Sequence, residues 1–595
     1  MKVLGIVLCG LTFLAIAAFF MLLPDIRIVR TDVRSDGRMT RKDRLCCLTV
    51  TVLYAALAFF RLGDGEAPQS FAEFCAGEEA ILLLEEPSRI GSVLCYTGIN
   101  TGSYAVSFSA DGISYTDAFV LEQDYAQILK WVEPEFPEIT ADKICSIRIT
   151  AYGNDPWLGE AAFFHEGKKI ALKAGNRQGE TLIDEQDLVP AESSWKNSSY
   201  FDEVYHVRTA EEHIRGIKPY EISHPPLGKI LISVGIRVFG LTPFGWRFMG
   251  TFFGVLMLPI LYLFLKKMTG STLASICGTI LLASDFMHFV QTRIATIDTY
   301  AVFFILMMYW FMYRYACDGK KRDLALSGVF FGIGAACKWT CFYAGAGLAL
   351  IWLVLQLNRL CDHSERAGHR WASFLSNCAW CVLFFVLIPA CVYYVSYFPY
   401  GIARGMGGAG MFLKKEYLEL VLENQKFMFS YHSGVTATHP YSSRWYQWML
   451  DIRPILYYLK YYPDGSYASI AAFVNPLLCW SGLAAMIMML FRTAVNRDRN
   501  AAFLIAGYLA QLIPWMFVSR VVFEYHYFPS TVFLVLAMGY LFSFMEKTKH
   551  GKTVVIAITA VSVLLFALFY PALSALPVNR EVFSALLGWL PGWPI

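Results

Sequence analysis

The sequence predicts a polytopic α-helical membrane protein that carries a β-sandwich insert outside the bilayer. Three observations point there. Of 595 residues, 56% are hydrophobic and only 16% are charged, whereas soluble domains carry roughly 25% charged residues. Apolar runs long enough to cross the hydrocarbon, about 20 residues at 1.5 Å each, recur along the chain. One long stretch near the N-terminus breaks that pattern with period-two alternation and Gly/Asp turns. Aromatic residues make up 16% of the chain, which suits the Trp and Tyr belts of membrane interfaces. The net charge of +3 says little about partners, because the basic residues are concentrated in short loops; no nucleic-acid partner is expected. The 15 cysteines show no metal-ligand spacing, and most lie in apolar runs where Cys acts as a small hydrophobe. No metal, cofactor or disulfide framework is expected.

Residues 1–61 read as two spans, Val3–Pro24 and Leu45–Phe60, around an Arg-rich loop from Asp25 to Arg44. No small-x-small cleavage site precedes Asp25, so the first reads as a retained span rather than a signal peptide. The Arg-rich loop reads as cytoplasmic, which puts the chain from Arg61 onward outside. Residues 62–196 form the insert. Ser103–Ser109 alternates in period two, Asp111-Gly112 marks a turn, and strand-like runs sit at Ile144–Ala151 and Ala161–His165. Many short strands with such turns predict an antiparallel sandwich. Residues 197–243 hold an Asp-Glu stretch and juxtamembrane helices. Spans are predicted from 244 to 397, a long outside loop from 398 to 469, further spans from 470 to 573, and an outside tail from 574 to 595. The total is about 12 spans. Lys266-Lys267, Lys320–Arg322, Arg359–Arg370, Arg492–Arg499 and Lys547–Lys552 then all share the side of the first Arg loop, as the positive-inside rule requires.

Most titratable residues beyond the basic loops and the insert thus gather on one non-cytoplasmic face. Asp202 and Glu203 are adjacent acids just before a Pro-marked entry into the membrane, in Phe201-Asp202-Glu203. Neighbouring side chains diverge on a strand or a helix, so one acid can face a cavity while the other holds structure. From the pair alone, a solvated turn or a helix cap is the plainer reading. Tyr205 to His213 continues as a polar, interfacial helix. His224-Pro225-Pro226 blocks helix and restarts it at Pro226, and Leu227–Phe239, too short to span, is expected along the interface.

Arg247, Arg293, Lys338 and Asp298 lie inside or beside apolar runs. Intramembrane charges are costly and face a cavity or a partner; snorkelling for Arg247 and Lys338, or an Arg293–Asp298 ion pair, are the plain structural readings. As a set they are cationic, which suits an anionic lipid headgroup. His432, then His439 to Arg444 in Thr436–Tyr446, and His526 in Tyr525–Pro529 complete the polar clusters. No Gly-x-Ser-x-Gly elbow frames a serine, so a hydrolase nucleophile is not indicated.

These stretches, in this order, resemble the protein O-mannosyltransferase family of C-type membrane glycosyltransferases. The residues that carry the resemblance are Phe201-Asp202-Glu203, His224–Lys229, Trp246-Arg247, Arg293–Asp298, Cys337–Thr340, the run from Thr436 to Arg453-Pro454, and Glu524–Tyr527. Each motif is weak alone; seven in sequence order are specific, and they cover roughly Ser199 to Tyr570. Within the insert, Tyr104–Thr116 resembles a discoidin-like, galactose-binding-like sandwich, which implies a glycan ligand or, equally, a spacer or docking role.

The resemblance implies a polyprenyl-phosphate-mannose donor, a Ser/Thr hydroxyl of an exported polypeptide as acceptor, and an active site on the extracytoplasmic face of the cell membrane. It implies Asp202 as general base, with Glu203 beside it. A hydroxyl needs a carboxylate to take its proton as attack proceeds, and cations must stabilise the departing phosphate; Arg247 is the first candidate, then Lys338 and Arg293. His224, Asp298, His432, His439, Arg444 and His526 are read as substrate contacts, and no metal is expected. The chain departs from the family in its extra N-terminal span, its sandwich, and the absence of a β-trefoil from the 398–469 loop. Two alternatives stay open: the same scaffold glycosylating a lipid or cell-wall glycan, and a membrane transporter or glycan sensor. Against the latter, no interrupted helices are evident in matching halves.

Overall fold

The computed structural model describes residues 37–135, 143–153, 155–361 and 367–593. The predicted first span and most of the Arg-rich loop lie outside them. The described chain divides into two compact units. One comprises Arg61–Glu221 with Lys229–Met249; the other comprises the chain up to Phe60, Ile222–Gly228 and Gly250 onward.

The first unit is built on two antiparallel sheets. Its strands are β1 (Ala72–Glu73), β2 (Glu79–Ser88), β3 (Ser92–Thr97), β4 (Gly102–Ser109), β5 (Thr116–Gln123), β6 (Trp131–Val132), β7 (Ile144–Gly153), β8 (Trp157–His165), β9 (Lys168–Lys169) and β10 (Leu172–Ala174). One sheet runs β1-β8-β3-β6 with β9 on β8, and the other β10-β2-β7-β4-β5. Alternation drives both. Tyr104, Val106 and Phe108 of β4 point inward with Ile147 and Ile149 of β7, and they meet Phe163 and Leu158 of β8 in one shared core. The turn after β4 closes on Asp111, whose Oδ1 accepts the amides of Ile113 and Ser114 at 2.8 Å, with Gly112 at φ 75°. That is the Asx geometry an Asp-Gly pair favours.

The helix Glu203–Arg215 belongs to this same unit and is not interfacial. Its residues from Glu203 to Val204 and from His206 to His213 are all buried, so the polar pattern that reads as a water-facing surface is spent on internal pairs. Arg208 Nε meets Glu212 Oε1 at 2.8 Å and Arg215 Nε meets Glu211 Oε1 at 2.6 Å, both across one helical turn. Arg215 also stacks 4.5 Å over the Trp157 ring of β8. Gly216, at φ 69°, ends the helix in the left-handed conformation that suits glycine.

The second unit is helical. Among the described residues eight helices are long and apolar enough to cross a membrane, and a bent pair adds a ninth. Arg41–Phe59 is also helical, with Leu45, Leu48, Val52 and Leu53 exposed. Lys321–Cys337 fills the predicted span there with 17 residues. The molecule is a multi-pass membrane protein. Two predicted spans differ. The run Ser271–Val290 breaks at Ser284-Asp285 into Thr272–Ala283 and Phe286–Thr292, bent by 56°, because Asp285 caps the second piece through the His288 amide and also accepts the Asn475 amide at 2.9 Å. The span predicted from Ile470 starts at Pro476 instead, with Asn475 as N-cap. The preceding residues form a hairpin, β11 (Ile455–Tyr461) on β12 (Ser466–Ala472), and β13 (Val578–Asn579) of the tail joins β12. The long loop also holds a helix, Lys415–Gly434.

Candidate active site

The acid stretch sits in the first unit. Tyr200-Phe201 turns sharply, with Phe201 at φ 50°, a left-handed conformation that costs a non-glycine residue about 1–2 kcal/mol and persists only where its surroundings enforce it. The enforcement is visible next door. Glu203 and Arg247 form an ion pair whose side chains are both 0% exposed. Arg247 Nε donates to Glu203 Oε1 and Nη2 to Oε2, each at 2.7 Å. Nη1 donates to the Leu62 carbonyl at 3.1 Å and Nη2 to the Ser198 carbonyl at 3.0 Å. The Tyr200 ring lies 4.8 Å from the guanidinium. Glu203 Oε2 also accepts the Tyr200 amide at 3.2 Å. A planar five-donor fork is thereby shared among one carboxylate and two carbonyls, a geometry lysine cannot copy.

Asp202 differs from its neighbour. It occupies the N-cap position of Glu203–Arg215, but its side chain makes no capping hydrogen bond, and it is half-buried. The cap reading therefore does not describe this carboxylate. In the same unit Lys229, from the His224–Lys229 motif, is wholly buried and bound to the carboxylate and carbonyl of Glu221.

The second unit gathers a different set. Lys338 Nζ meets Asp298 Oδ1 at 2.7 Å, with side chains 9% and 14% exposed, and lies 5.6 Å from the Tyr525 ring centroid. His526 packs on Tyr525 and on Trp515, each at 4.4 Å between ring centroids. His432, near the end of Lys415–Gly434, packs on His224 at 5.2 Å and on Trp339 at 6.2 Å. Its Nε2 donates to the Ser223 carbonyl at 2.8 Å; the opposite nitrogen, Nδ1, is then an acceptor with no partner among the described residues. Burial holds His432 down to about 4, reinforced by the charges of His224, Arg520 and Lys338. It is a neutral imidazole at neutral pH. His439 packs on Phe523 at 5.0 Å, and the Ser443 amide donates to the Val522 carbonyl at 2.9 Å, which ties the Thr436–Tyr446 run to the loop before Glu524. Arg444 is exposed.

Arg293 and Asp298 do not form the ion pair considered from sequence. Arg293 Nε and Nη2 donate to the carbonyls of Ala58 and Phe60 at 3.0 and 2.9 Å, satisfying carbonyls at the C-terminal end of Arg41–Phe59 that the helix itself leaves open. Sequence reading singled out neither Arg520 nor Asp451, and it gave no role to Glu524, which opens the Glu524–Tyr527 motif. Arg520 lies in the loop before Glu524, half-buried, its Nη1 donating to the adjacent Val521 carbonyl at 3.2 Å and to nothing else among the described residues. Asp451 and Glu524 are both wholly buried and electrostatically coupled to each other. Among the described residues, the group of acids placed to take a cation is Glu160, Asp184 and Glu185 in the insert, with oxygens within 4.8 Å of one another.

Two family models match the chain in succession. One, described as dolichyl-phosphate-mannose-protein mannosyltransferase, covers residues 223–394; the other, described as the C-terminal four-transmembrane region of protein-O-mannosyltransferase, covers 417–593. The chain belongs to the protein O-mannosyltransferase family. Both matched ranges begin after Asp202. The polyprenol-phosphate-mannose–protein mannosyltransferase of Mycolicibacterium smegmatis is 25% identical over 427 residues, 62% of this chain and 82% of that protein. That of Corynebacterium glutamicum is 25% identical over 463 residues, 66% of this chain and 88% of the relative. Among solved structures, the Saccharomyces cerevisiae protein O-mannosyltransferase Pmt1-Pmt2 complex bound to the sugar donor aligns at TM-score 0.58 and 13% identity, covering 67% of this chain and 90% of that one. The membrane part of this protein O-mannosyltransferase thus has the C-type glycosyltransferase fold.

Proposed function

We propose that the protein transfers mannose from a polyprenyl-phosphate donor to Ser or Thr hydroxyls of exported polypeptides, on the non-cytoplasmic face of the cell membrane, with Asp202 as general base. The family and its curated relatives support the reaction, and the alternation of basic loops supports the face. The observation that carries the role of Asp202 is the Glu203–Arg247 clamp. It fixes the strained turn at Phe201 while Asp202, next in sequence, contributes no capping bond and keeps partial access to solvent.

In the reaction the acceptor hydroxyl oxygen attacks C1 of mannose, and its proton passes to the Asp202 carboxylate. The C1–O bond to phosphate breaks, and its electron pair stays on the phosphate. One displacement inverts the configuration at C1. Glu203 and Arg247 are positioning residues in this scheme, since their charges neutralise each other out of reach of solvent. Lys338 holds Asp298, and His432, neutral with Nδ1 bare, is suited to accept a sugar hydroxyl. The insert, joined in one compact unit with Asp202, docks the acceptor; a glycan on that acceptor is the ligand class its resemblance implies.

The test is Asp202→Asn in the purified full chain, assayed with polyprenyl-phosphate mannose and an acceptor peptide. Loss of a general base lowers turnover by about 10²–10⁴-fold, with thermal stability unchanged. A rate within tenfold of wild type removes Asp202 from the chemistry. Mannose appearing on lipid rather than peptide selects the glycolipid alternative.

A further inference from the structure

The three cations that sequence points to for the phosphate are engaged elsewhere. Arg247 is locked on Glu203 and two carbonyls, with no surface exposed. Arg293 is bound to the carbonyls of Ala58 and Phe60. Lys338 is held by Asp298. A leaving phosphate gains a full negative charge as the C1–O bond breaks, so a donor committed to another anion stabilises it little. Arg520 is in a different state. It is a half-buried guanidinium with one hydrogen bond, to its neighbour's carbonyl, and no carboxylate partner among the described residues. Its surroundings hold aromatic rings and a neutral imidazole and no anion among the described residues. Its charge reaches His432 and Tyr343, and its loop is tied through Val522 to the Thr436–Tyr446 run and through Phe523 to His439. A half-buried guanidinium with most of its donors unspent gains charge-assisted hydrogen bonds when an anion arrives.

We propose that Arg520 is the residue that binds the phosphate of the polyprenyl-phosphate donor. The assignment rests on the mannosyl-transfer reading and deepens it. Guanidinium suits the task because its fork engages two phosphate oxygens at once. Its contact strengthens as the bridging C1–O bond breaks and charge builds on the phosphate, so it serves the transition state more than the ground state. His432 and Lys338 lie around the same anion without needing to carry it.

The experiment uses the full chain in detergent and measures binding of undecaprenyl phosphate, with undecaprenol and inorganic phosphate as the other arms. Arg520→Ala weakens undecaprenyl phosphate by about 10- to 100-fold, the worth of a charge-assisted hydrogen bond. Arg520→Lys recovers part of that loss, and undecaprenol binding is the same in all three proteins. Affinity of Arg520→Ala within threefold of wild type overturns the assignment, and so does an equal loss for undecaprenol, which marks a structural role. Inorganic phosphate competing at the same concentration as the lipid overturns the lipid as the source of the anion. Where Arg520→Ala lowers thermal stability, the phosphorus resonance of bound undecaprenyl phosphate in wild type against Arg520→Lys decides, an unchanged shift overturning the contact. A wild-type chain that binds undecaprenyl phosphate and moves no mannose sinks the transfer reading and leaves Arg520 in place. Transfer that proceeds undiminished in Arg520→Ala sinks Arg520 alone.

Discussion

Two ion pairs of this chain have nearly the same contact distance and different physics. Glu203–Arg247 and Lys338–Asp298 each close at 2.7 Å. The first is bidentate, wholly buried, and shares its guanidinium with two backbone carbonyls. The second is one ammonium on one oxygen at a partly open edge. Taking charges out of water costs several kcal/mol per ion, which only dense hydrogen bonding offsets. The buried pair therefore tolerates no vacancy, while the edge pair exchanges partly with water. A carboxylate at the edge can rearrange during a catalytic cycle; one in the clamp cannot. On the proposed function, the difference separates a part that holds the turn before Asp202 from a part free to respond to substrate.

The largest expected effect comes from breaking the clamp. Arg247→Ala strands Glu203 as a buried charge, and removal of one partner of such a pair costs about 3–5 kcal/mol. Thermal unfolding in detergent reads this directly. Arg247→Lys fails to restore stability, because a single ammonium cannot serve both carboxylate oxygens and the carbonyls of Leu62 and Ser198. A stable Arg247→Ala protein with normal affinity for undecaprenyl phosphate but slow turnover fits the clamp's role in aiming Asp202. A stable protein that instead binds undecaprenyl phosphate poorly returns Arg247 to the donor site.

Asp451 sharpens the contrast, because it is as buried as Glu203 but has a second carboxyl, Glu524, where Glu203 has a cation. No Lys or Arg forms an ion pair with either acid among the described residues. Burial pushes Asp451 up to about 7, above the ordinary value of about 3.9. The protonated form is the one the fold prefers. Stability from this group is fully present below about pH 4 and is lost as pH rises toward 7, with a slope of roughly 1.4 kcal/mol per pH unit at most. Asp451→Asn, which cannot ionise, flattens that slope. Unfolding midpoints measured from pH 4 to 8 in both proteins give the difference; parallel curves mean that the pair is not held together by a proton.

Legibility in the sequence depends on the physical quantity each signal measures. Hydropathy finds spans but does not locate a change of element inside a continuous apolar run. Ala468–Val474 is apolar almost throughout, so the strand β12 merged with the next span, although Asn475-Pro476 carries the helix-start signal. Period two found β4 and β7 because one face of each strand is core. The polar pattern of Glu203–Arg215 misled in the opposite direction, since side chains paired inside a unit look the same in sequence as side chains in water. Asp202-Glu203 stood out as a pair, but which acid was committed depended on Arg247, 44 positions later. The three expected phosphate ligands stood out as cations in apolar surroundings, and that very setting demands a partner. Arg520 has no such setting. It sits in an irregular loop, and only the partners of the other cations make its own lack of a carboxylate informative.

The smallest expected effect tests the edge pair. Lys338→Ala costs less stability than Arg247→Ala, because the pair is a single contact with side chains 9% and 14% exposed, whereas the clamp is bidentate with both side chains at 0%. A double-mutant cycle with Asp298→Ala isolates the coupling, since both residues lose one another and little else. The corresponding cycle for Glu203 and Arg247 gives several-fold more. If Lys338 chiefly steadies Asp298, Lys338→Ala and Asp298→Asn alter turnover alike, and each leaves undecaprenyl phosphate affinity within about threefold of wild type. If instead Lys338→Ala alone weakens that affinity by tenfold or more, the ammonium leaves Asp298 for the phosphate when the donor arrives. The edge pair is then a latch that the substrate opens, a part the buried clamp cannot play.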